Sequence, residues 1–304
     1  MAIPTRIART LPLPPAAGEL LENPQRIPAL TRDRFTAARR LSALPHLLDH
    51  RSEFDSVGVY CMFVGHGRTG HSLVGSLLNG HREMVVSHEL DALRLLDRAQ
   101  VPMSRNQLFS AILQRDAEFT GLGREWEKYS YDIPGTAQGE FDRLQVIGDK
   151  KGAASTRRLG HSPELLGELR ETVSVPIRLV HVVRNPFDTI ASRRKLKETW
   201  REYGIEKFFA NADNVELVSE MLDEDELFRL HHEELISDTA GVLSELCAFL
   251  GVDPGEEYLS ACTEFVFDSP KQTRHEIEWS SDEIERIEQK NQGYDWLSRY
   301  TFEG

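Results

Sequence analysis

A glycine-rich segment between an apolar run and a helical pattern carries the clearest chemistry in the sequence. The apolar run covers residues 57–64, and the helical pattern covers residues 73–78. Between a strand and a helix, glycines let backbone N–H groups converge on an oxyanion, and the helix start adds its positive dipole end. The sequence therefore predicts an anion-binding loop, whose candidate contacts are Gly65, His66, Gly67, Arg68, Thr69, Gly70, His71 and Ser72.

This loop differs from that of nucleotide triphosphatases at its most diagnostic position. Those enzymes place a lysine directly before the loop's final Ser or Thr. Here His71 stands at that position, and Arg68 supplies the loop's cation. A kinase with a displaced cation stays open as an alternative, with Asp149 as the one candidate magnesium ligand at a strand end. A non-catalytic nucleotide-binding scaffold is the other alternative.

Other candidate residues follow the later strands. In parallel sheets, ligand groups lie beyond the carboxyl ends of the strands. Arg184 follows the best strand of the sequence, residues 177–183, and Asn185 and Pro186 suit the cap and first turn of the next helix. Ser192 lies two helical turns beyond the cap, so Arg184 and Ser192 could grip one phosphate from two sides.

The alternative for Arg184 is a simple ion pair with Asp188. The strand predicted over residues 84–86 leads into His88 and Glu89, and the strand over 144–148 leads into Lys150. A carboxylate, an imidazole and an ammonium group at neighbouring strand ends provide candidates for proton transfer and charge stabilisation.

Bulk composition bounds the class of protein. The chain has 304 residues, of which 40% are hydrophobic and 28% charged, as in a globular protein with a proper core. Its net charge of −13 disfavours binding to nucleic acid and to anionic membranes. No apolar run of transmembrane length and no signal-peptide core occur in the sequence. Three widely spaced cysteines predict neither disulfides nor a metal site, so we expect a cytoplasmic protein without a metal.

The order of predicted elements indicates the fold. Strands alternate with helices, which predicts an α/β fold of P-loop type, a doubly wound parallel sheet with helices on both faces. A weaker strand is predicted over residues 227–231. Helices are predicted over residues 33–44, 91–98, 106–117, 163–171, 215–226, 239–250 and 281–300. Residues 1–30 contain six prolines and form a predicted N-terminal arm, which leaves residues 31–304 as one domain.

Taken together, these motifs resemble the sulfotransferases that use 3′-phosphoadenosine 5′-phosphosulfate (PAPS). Residues 68–72 are similar to that family's 5′-phosphosulfate loop, with His71 where Thr or Ser is usual. Residues 183–192 are similar to its 3′-phosphate motif, including the spacing from Arg184 to Ser192. Residues 230–235 resemble a later Tyr-Glu-Asp-Leu segment. The match is closer to the bacterial and Golgi-type branch, which includes tyrosylprotein sulfotransferases.

The resemblance implies roles for single residues. It places Glu89 as the general base, with His88 and then His71 as rivals, and a carboxylate beside an anionic donor is expected to have a raised pKa. It gives Lys150 and Arg68 the task of neutralising charge on the leaving phosphate. It also implies that Arg274 contacts the nucleotide.

The remaining expectations concern partners and specificity. The acidic surface favours a small hydroxylated metabolite as acceptor over a polyanion, and a homodimer is possible. Insertions at residues 106–139 and 195–225 are expected to set specificity. Arg157 and Arg158 are expected to lie on a solvated basic turn, and the alternative is that they reach the nucleotide or the acceptor.

Overall fold

The computed structural model describes residue 43 and residues 50–97 and 102–304. The proline-rich arm over residues 1–30, and nearly all of the helix predicted over residues 33–44, lie outside this part. The division into an arm and one domain therefore stays a prediction. Within the described ranges, no helix is both long and apolar enough to cross a bilayer.

A five-stranded parallel sheet forms the centre of the protein. Its strands are β1 Val59–Gly65, β2 Met84–His88, β5 Val146–Lys150, β6 Ile177–Val183 and β7 Leu227–His231. Their spatial order is β2-β5-β1-β6-β7, and every neighbouring pair runs parallel. A short antiparallel hairpin, β3 Glu125–Trp126 and β4 Tyr129–Ser130, lies apart from this sheet. The predicted α/β fold is confirmed.

Helices cover both faces of the sheet, as the alternation of side chains along β1 requires. Tyr60 and Met62 point into one apolar cluster, and Cys61 and Phe63 point into the other. The helices are α1 His71–Asn79, α2 Ala92–Asp97, α3 Arg105–Gly121, α4 Gly152–His161, α5 Glu164–Val173, α6 Pro186–Leu196, α7 Glu198–Glu220, α8 His232–Ser237, α9 Thr239–Leu250, α10 Glu256–Phe265 and α11 Ser281–Asn291.

Several helix predictions need correction. Of the helix predicted over residues 215–226, only residues 215–220 are α-helical, as the end of the much longer α7, which bends at Tyr203. The helix predicted to reach Tyr300 ends at Asn291, because the following aromatic residues pack on a third apolar cluster in turns. Arg157 and Arg158 lie on α4 and not on a basic turn. Helices α4, α8 and α10 were not predicted.

Candidate active site

Glycine is required at several positions of the loop, because its backbone conformation or a side chain packed against it leaves no room for a Cβ. Gly65 ends β1 with φ +116°, and Gly70 precedes α1 with φ +103°, both in the region that favours glycine. A Cβ at position 67 would lie 1.8 Å from Nη2 of Arg193, and one at position 70 would lie 2.6 Å from Nδ1 of His232. The predicted sequence of strand, loop and helix is confirmed.

The two histidines of the loop point into the protein. The His66 ring stacks on Phe208 at 3.9 Å between centroids, and Nε2 of His71 donates to the Val64 carbonyl at 3.0 Å. Burial lowers the pKa of His66 to about 4 and that of His71 to about 3. Both rings are therefore neutral and internally bonded, which leaves Glu89 and His88 as the candidate bases.

Arg68 joins the two predicted phosphate motifs. Its Nε donates to Oγ of Ser192 at 3.0 Å, and Nη1 of Arg184 donates to the Arg68 carbonyl at 3.1 Å. The guanidinium of Arg68 also pairs with Glu127, which lies in the turn between β3 and β4. Arg68, Arg184 and Ser192 thus form one cluster, although they come from separate parts of the chain.

Arg184 is held by the segment that follows α10, and not by Asp188. Its Nη2 donates to the Lys271 carbonyl and to Oγ1 of Thr273 at 3.2 Å. Its Nε is buried without a hydrogen-bond partner among the described residues. Burial lowers the pKa of Arg184, and the nearby charges of Asp188 and Glu233 oppose that shift.

Asp188 forms its ion pair with Arg274 instead. Oδ2 of Asp188 lies 2.7 Å from Nη1 of Arg274, and both side chains are 4% exposed. The backbone N–H of Arg274 donates to the same carboxylate at 2.8 Å. This buried pair fixes the turn Thr273–Glu276 against α6. The direct nucleotide contact expected of Arg274 stays a prediction, and the structure encloses its guanidinium in this pair.

We expect the substitution Asp188→Asn to lower the free energy of unfolding by about 2 kcal/mol, because Arg274 would stay buried without a counter-charge. The exposed pair Glu234–Arg299 provides the control, and Glu234→Gln should cost under about 1 kcal/mol. Urea denaturation of both variants is the measurement. Equal losses would contradict a structural role for the buried pair.

Glu89 lies between two lysines at the ends of β2 and β5. Its Oε1 accepts a hydrogen bond from Nζ of Lys150 at 2.7 Å, and its Oε2 pairs with Lys151. Burial opposes ionisation, but the two ammonium charges outweigh it and hold the pKa of Glu89 well below its ordinary value of 4.5. The rise in pKa expected of this carboxylate beside an anionic donor stays a prediction.

Lys150 connects Glu89 to the predicted anion-binding loop. Its side chain is 2% exposed, and Nζ also donates to Oγ of Ser72 at 3.0 Å. Gly75 of α1 makes room for the stem, since a Cβ there would lie 2.8 Å from Cγ of Lys150. Burial lowers the pKa of Lys150, and the Glu89 carboxylate opposes that shift. Lys151 makes no hydrogen bond to Ser72 in the described part of the chain.

His88 lies on the other side of Ser72. Its ring stacks on Phe119 at 4.3 Å and meets Trp126 edge-on at 4.9 Å, and Nε2 lies 3.4 Å from Oγ of Ser72. Nδ1 is buried and has no partner among the residues that the structure describes. Burial, with the charge of Lys150, lowers the pKa of His88 to about 2, so the ring is neutral.

Asp149, the candidate magnesium ligand of a kinase, is occupied by hydrogen bonds within the protein. Its carboxylate accepts hydrogen bonds from Oγ of Ser87 at 3.1 Å and from the N–H groups of Leu90 and Ala92 at 2.9 and 3.0 Å. It thereby fixes the turn that carries Glu89. No group of three or more His, Cys, Asp or Glu side chains in the described ranges is placed to hold a metal ion.

Two contributors to the site were not predicted. Glu127 lies within the insertion expected over residues 106–139, and the alternation of aromatic and charged residues from Glu125 to Tyr131 was the available sign of a hairpin. Arg193 was not among the candidate residues, but its guanidinium lies against Gly67.

The sequence also matches a known family. Residues 62–256, more than half of the chain, fit the family model described as "Sulfotransferase family". The chain belongs to the sulfotransferase family. No curated protein matches its sequence.

Solved structures of sulfotransferases are similar to this sulfotransferase at low identity. The sulfotransferase domain from the Synechococcus PCC 7002 olefin synthase is 16% identical, covering 79% of this chain and 96% of that one, with a TM-score of 0.48. STF9 from Mycobacterium avium is 14% identical, covering 86% and 83%, with a TM-score of 0.48. Mouse SULT7A1 complexed with PAP is 14% identical, covering 82% of each chain, with a TM-score of 0.39. These likenesses are too distant to assign residues.

Proposed function

We propose that this sulfotransferase takes its sulfuryl group from PAPS and transfers it to the hydroxyl of a small-molecule acceptor. The observation that carries the proposal is the bonding of Arg68 to both Ser192 and Arg184. These contacts join the loop expected to bind a 5′-phosphosulfate to the motif expected to bind a 3′-phosphate. A donor with anionic groups at both ends of one nucleoside requires that proximity.

The residues of the site suit such a donor. The loop N–H groups from Gly67 to Ser72 and the start of α1 would hold the 5′-phosphosulfate with Arg68. Arg184, with its unpartnered Nε, and Ser192 would hold the 3′-phosphate. Glu127 gives Arg68 a carboxylate partner, so a bound anion would replace one negative group by another.

In the proposed reaction, Glu89 removes the proton of the acceptor hydroxyl. The acceptor oxygen then forms a bond to sulfur in line with the bridging oxygen. The bond from sulfur to that bridging oxygen breaks, and its electron pair stays on the 5′-phosphate. Lys150 and Arg68 stabilise the charge that develops there, and the N-terminus of α1 adds its dipole. This scheme calls for no metal, because side chains supply the positive charge.

The low pKa of Glu89 makes it a weak base in the arrangement described above. Lys150 is the group that resolves this difficulty, since its ammonium is shared between Glu89 and Ser72 of the phosphate loop. An anionic donor would draw that ammonium towards the loop, and the proton affinity of Glu89 would rise as its ion pair weakens. The neutral His88 ring stays as the alternative base.

Binding of the product analogue 3′-phosphoadenosine 5′-phosphate (PAP) tests the proposed donor site. We expect metal-independent binding of PAP in preference to ATP with magnesium, and Arg184→Ala should weaken it at least about tenfold, or 1.4 kcal/mol. Isothermal titration calorimetry gives both affinities. Arg178→Ala is the matched control, because Arg178 lies on β6 but pairs with Asp225 outside the site. Preference for ATP with magnesium, or no PAP binding, would contradict the proposal.

A further inference from the structure

A small cavity lies next to the residues that the proposed reaction uses. It is bounded by residues of α1, β2 and α3, by Arg124 and by Lys150, and it has room for about one water molecule. His88 and Arg124 both line it, and they are only 4% and 3% exposed. The His88 ring stacks on Phe119 at 4.3 Å, and Cζ of Arg124 lies 5.7 Å from the centre of the same ring. His88 and Arg124 therefore share one small space, and packing fixes both of them beside it.

Two nitrogen atoms on the wall of this cavity lack hydrogen-bond partners. Nδ1 of His88 and Nε of Arg124 are buried and make no hydrogen bond in the described part of the chain. The amide of Asn79, which also lines the cavity, is already bonded: it donates to Asp116 at 3.0 Å and accepts from the N–H of Val86 at 2.8 Å. Buried polar groups without partners cost free energy, so two of them on the wall of one water-sized cavity indicate an occupant that bonds to both.

The charges around the cavity favour a neutral occupant. Arg124 pairs with the buried carboxylate of Asp116 at 2.9 Å, and Lys150 pairs with Glu89 at 2.7 Å. The neutral ring of His88, whose pKa burial lowers to about 2, adds no charge. A halide or carboxylate ion would bring a charge into a buried space whose cations are already neutralised. Water fits the cavity in both size and charge.

The hydrogen-bonding capacity of the two nitrogens determines how a water would bind. Nε of Arg124 is a donor only, whereas a neutral imidazole has one donor and one acceptor nitrogen. If Nδ1 of His88 carried the hydrogen, both nitrogens would donate to the water, and no other unpartnered atom of the wall would accept the water's own hydrogens. With Nδ1 as acceptor, the water accepts from Arg124 and donates to His88. The ring then carries its hydrogen on Nε2, which lies 3.4 Å from Oγ of Ser72.

We propose that this cavity binds one water molecule, which bridges Arg124 to Nδ1 of His88 and holds the ring in the tautomer with its hydrogen on Nε2. His88 is then a positioning residue for the Ser72 hydroxyl, which also accepts from Nζ of Lys150 at 3.0 Å. A ring nitrogen that already carries a hydrogen cannot take the proton of an acceptor hydroxyl, so Glu89 is left as the base. This consequence for the base rests on the proposed function, whereas the water site and the tautomer do not.

Nitrogen NMR of isotope-labelled histidine side chains reads the tautomer directly. Two-bond proton–nitrogen spectra are recorded near neutral pH without donor, and the signals of His88 are those lost in His88→Gln. We expect the shift of Nδ1 in the range of an unprotonated nitrogen and that of Nε2 in the range of a protonated one. A crystal structure at high resolution should show the water within hydrogen-bond distance of Nδ1 of His88 and Nε of Arg124.

Val86→Ile is the variant designed to displace the water. Val86 lines the cavity on β2, and the added methylene would fill the space of the water. We expect the water density to disappear and the His88 shifts to move towards a mixture of the two tautomers. Val85→Ile is the matched control, because the neighbouring side chain points into the other apolar cluster, and it should leave the His88 shifts unchanged.

The outcomes separate this inference from the proposed function. A hydrogen on Nδ1 of His88 in the wild-type protein, a doubly protonated ring, or no water density between His88 and Arg124 would overturn the inference. A tautomer that stays the same in Val86→Ile after the water is lost would overturn the role of the water. None of these measurements uses the donor, so a failure to bind PAP would contradict the proposed function and leave the water site standing.

Discussion

Replacing Lys150 by Met is expected to slow the turnover of PAPS about 10²–10³-fold. Nζ of Lys150 lies 3.0 Å from Oγ of Ser72 and 2.7 Å from Oε1 of Glu89 in a side chain that is 2% exposed. A cation at this depth acts in a poorly hydrated environment, where it stabilises charge on a leaving phosphate more strongly than in water. The measurement is PAP release from PAPS, followed chromatographically with water as acceptor.

Lys151→Met is the discriminating control for this prediction. Lys151 also pairs with Glu89, but it is more exposed and makes no hydrogen bond to Ser72 among the described residues. Its loss should slow turnover less than about tenfold. Met fills nearly the volume of the lysine stem, so Lys150→Met should fold, and PAP binding checks this. Equal losses in the two variants would contradict the role of Lys150.

The framework of the site was predictable because its signals are local. Residues 177–183 form an apolar, β-branched run whose bounds as a strand are confirmed. Asn185 caps the next helix by accepting from the N–H of Phe187, and Pro186 occupies its first turn, as their chemistry predicts. Parallel strands then bring Arg68, Lys150 and Arg184 to one edge of the sheet.

The ion pairs between charged residues of the site could not be predicted from the sequence in the same way. Glu89 and Lys151 are 62 positions apart, and Arg68 and Glu127 are 59 apart, so these pairs depend on the register of β2 against β5 and on the path of the hairpin. A sequence pattern places a residue at a strand end, but it does not fix where an ammonium group points. The lowered pKa of Glu89 was not predicted for this reason.

Arg274 illustrates the same limit. Its position in the sequence favoured a nucleotide contact, and the alternative for Asp188 was a pair with Arg184. In the structure Asp188 pairs with Arg274 and not with Arg184, because the turn Thr273–Glu276 folds back on α6 and brings Arg274 to Asp188. An ion pair between groups 86 positions apart is a property of the tertiary fold, and periodicity in the sequence carries no information about it.

Replacing Glu89 by Gln is expected to lower the rate of PAPS turnover about 10²–10⁴-fold if Glu89 is the base. The amide keeps the size and one acceptor for Lys150, so PAP affinity should not fall. Glu83→Gln, at the opposite end of β2, is the matched control and should keep turnover within about twofold. His88→Gln tests the alternative, and a greater loss in His88→Gln than in Glu89→Gln would assign the base to His88.

The pH dependence of kcat/KM follows from the direction of the pKa shift. The two lysines hold the pKa of Glu89 below 4.5 in the free protein, so the carboxylate is ionised at every pH above that value. Its stabilising pair with Lys150 is likewise present above pH 4.5 and is lost only as the pH falls further. His88, with a pKa of about 2, is neutral over the same range. Apart from protonation of the donor's own 3′-phosphate, whose second pKa is about 6, we therefore expect no loss of kcat/KM between about pH 8 and pH 5.5. An acid limb near pH 6.5 that persists after correction for the titration of free donor would reveal a histidine of ordinary pKa in the reaction, and neither Glu89 nor His88, as this structure places them, would then account for the proton transfer.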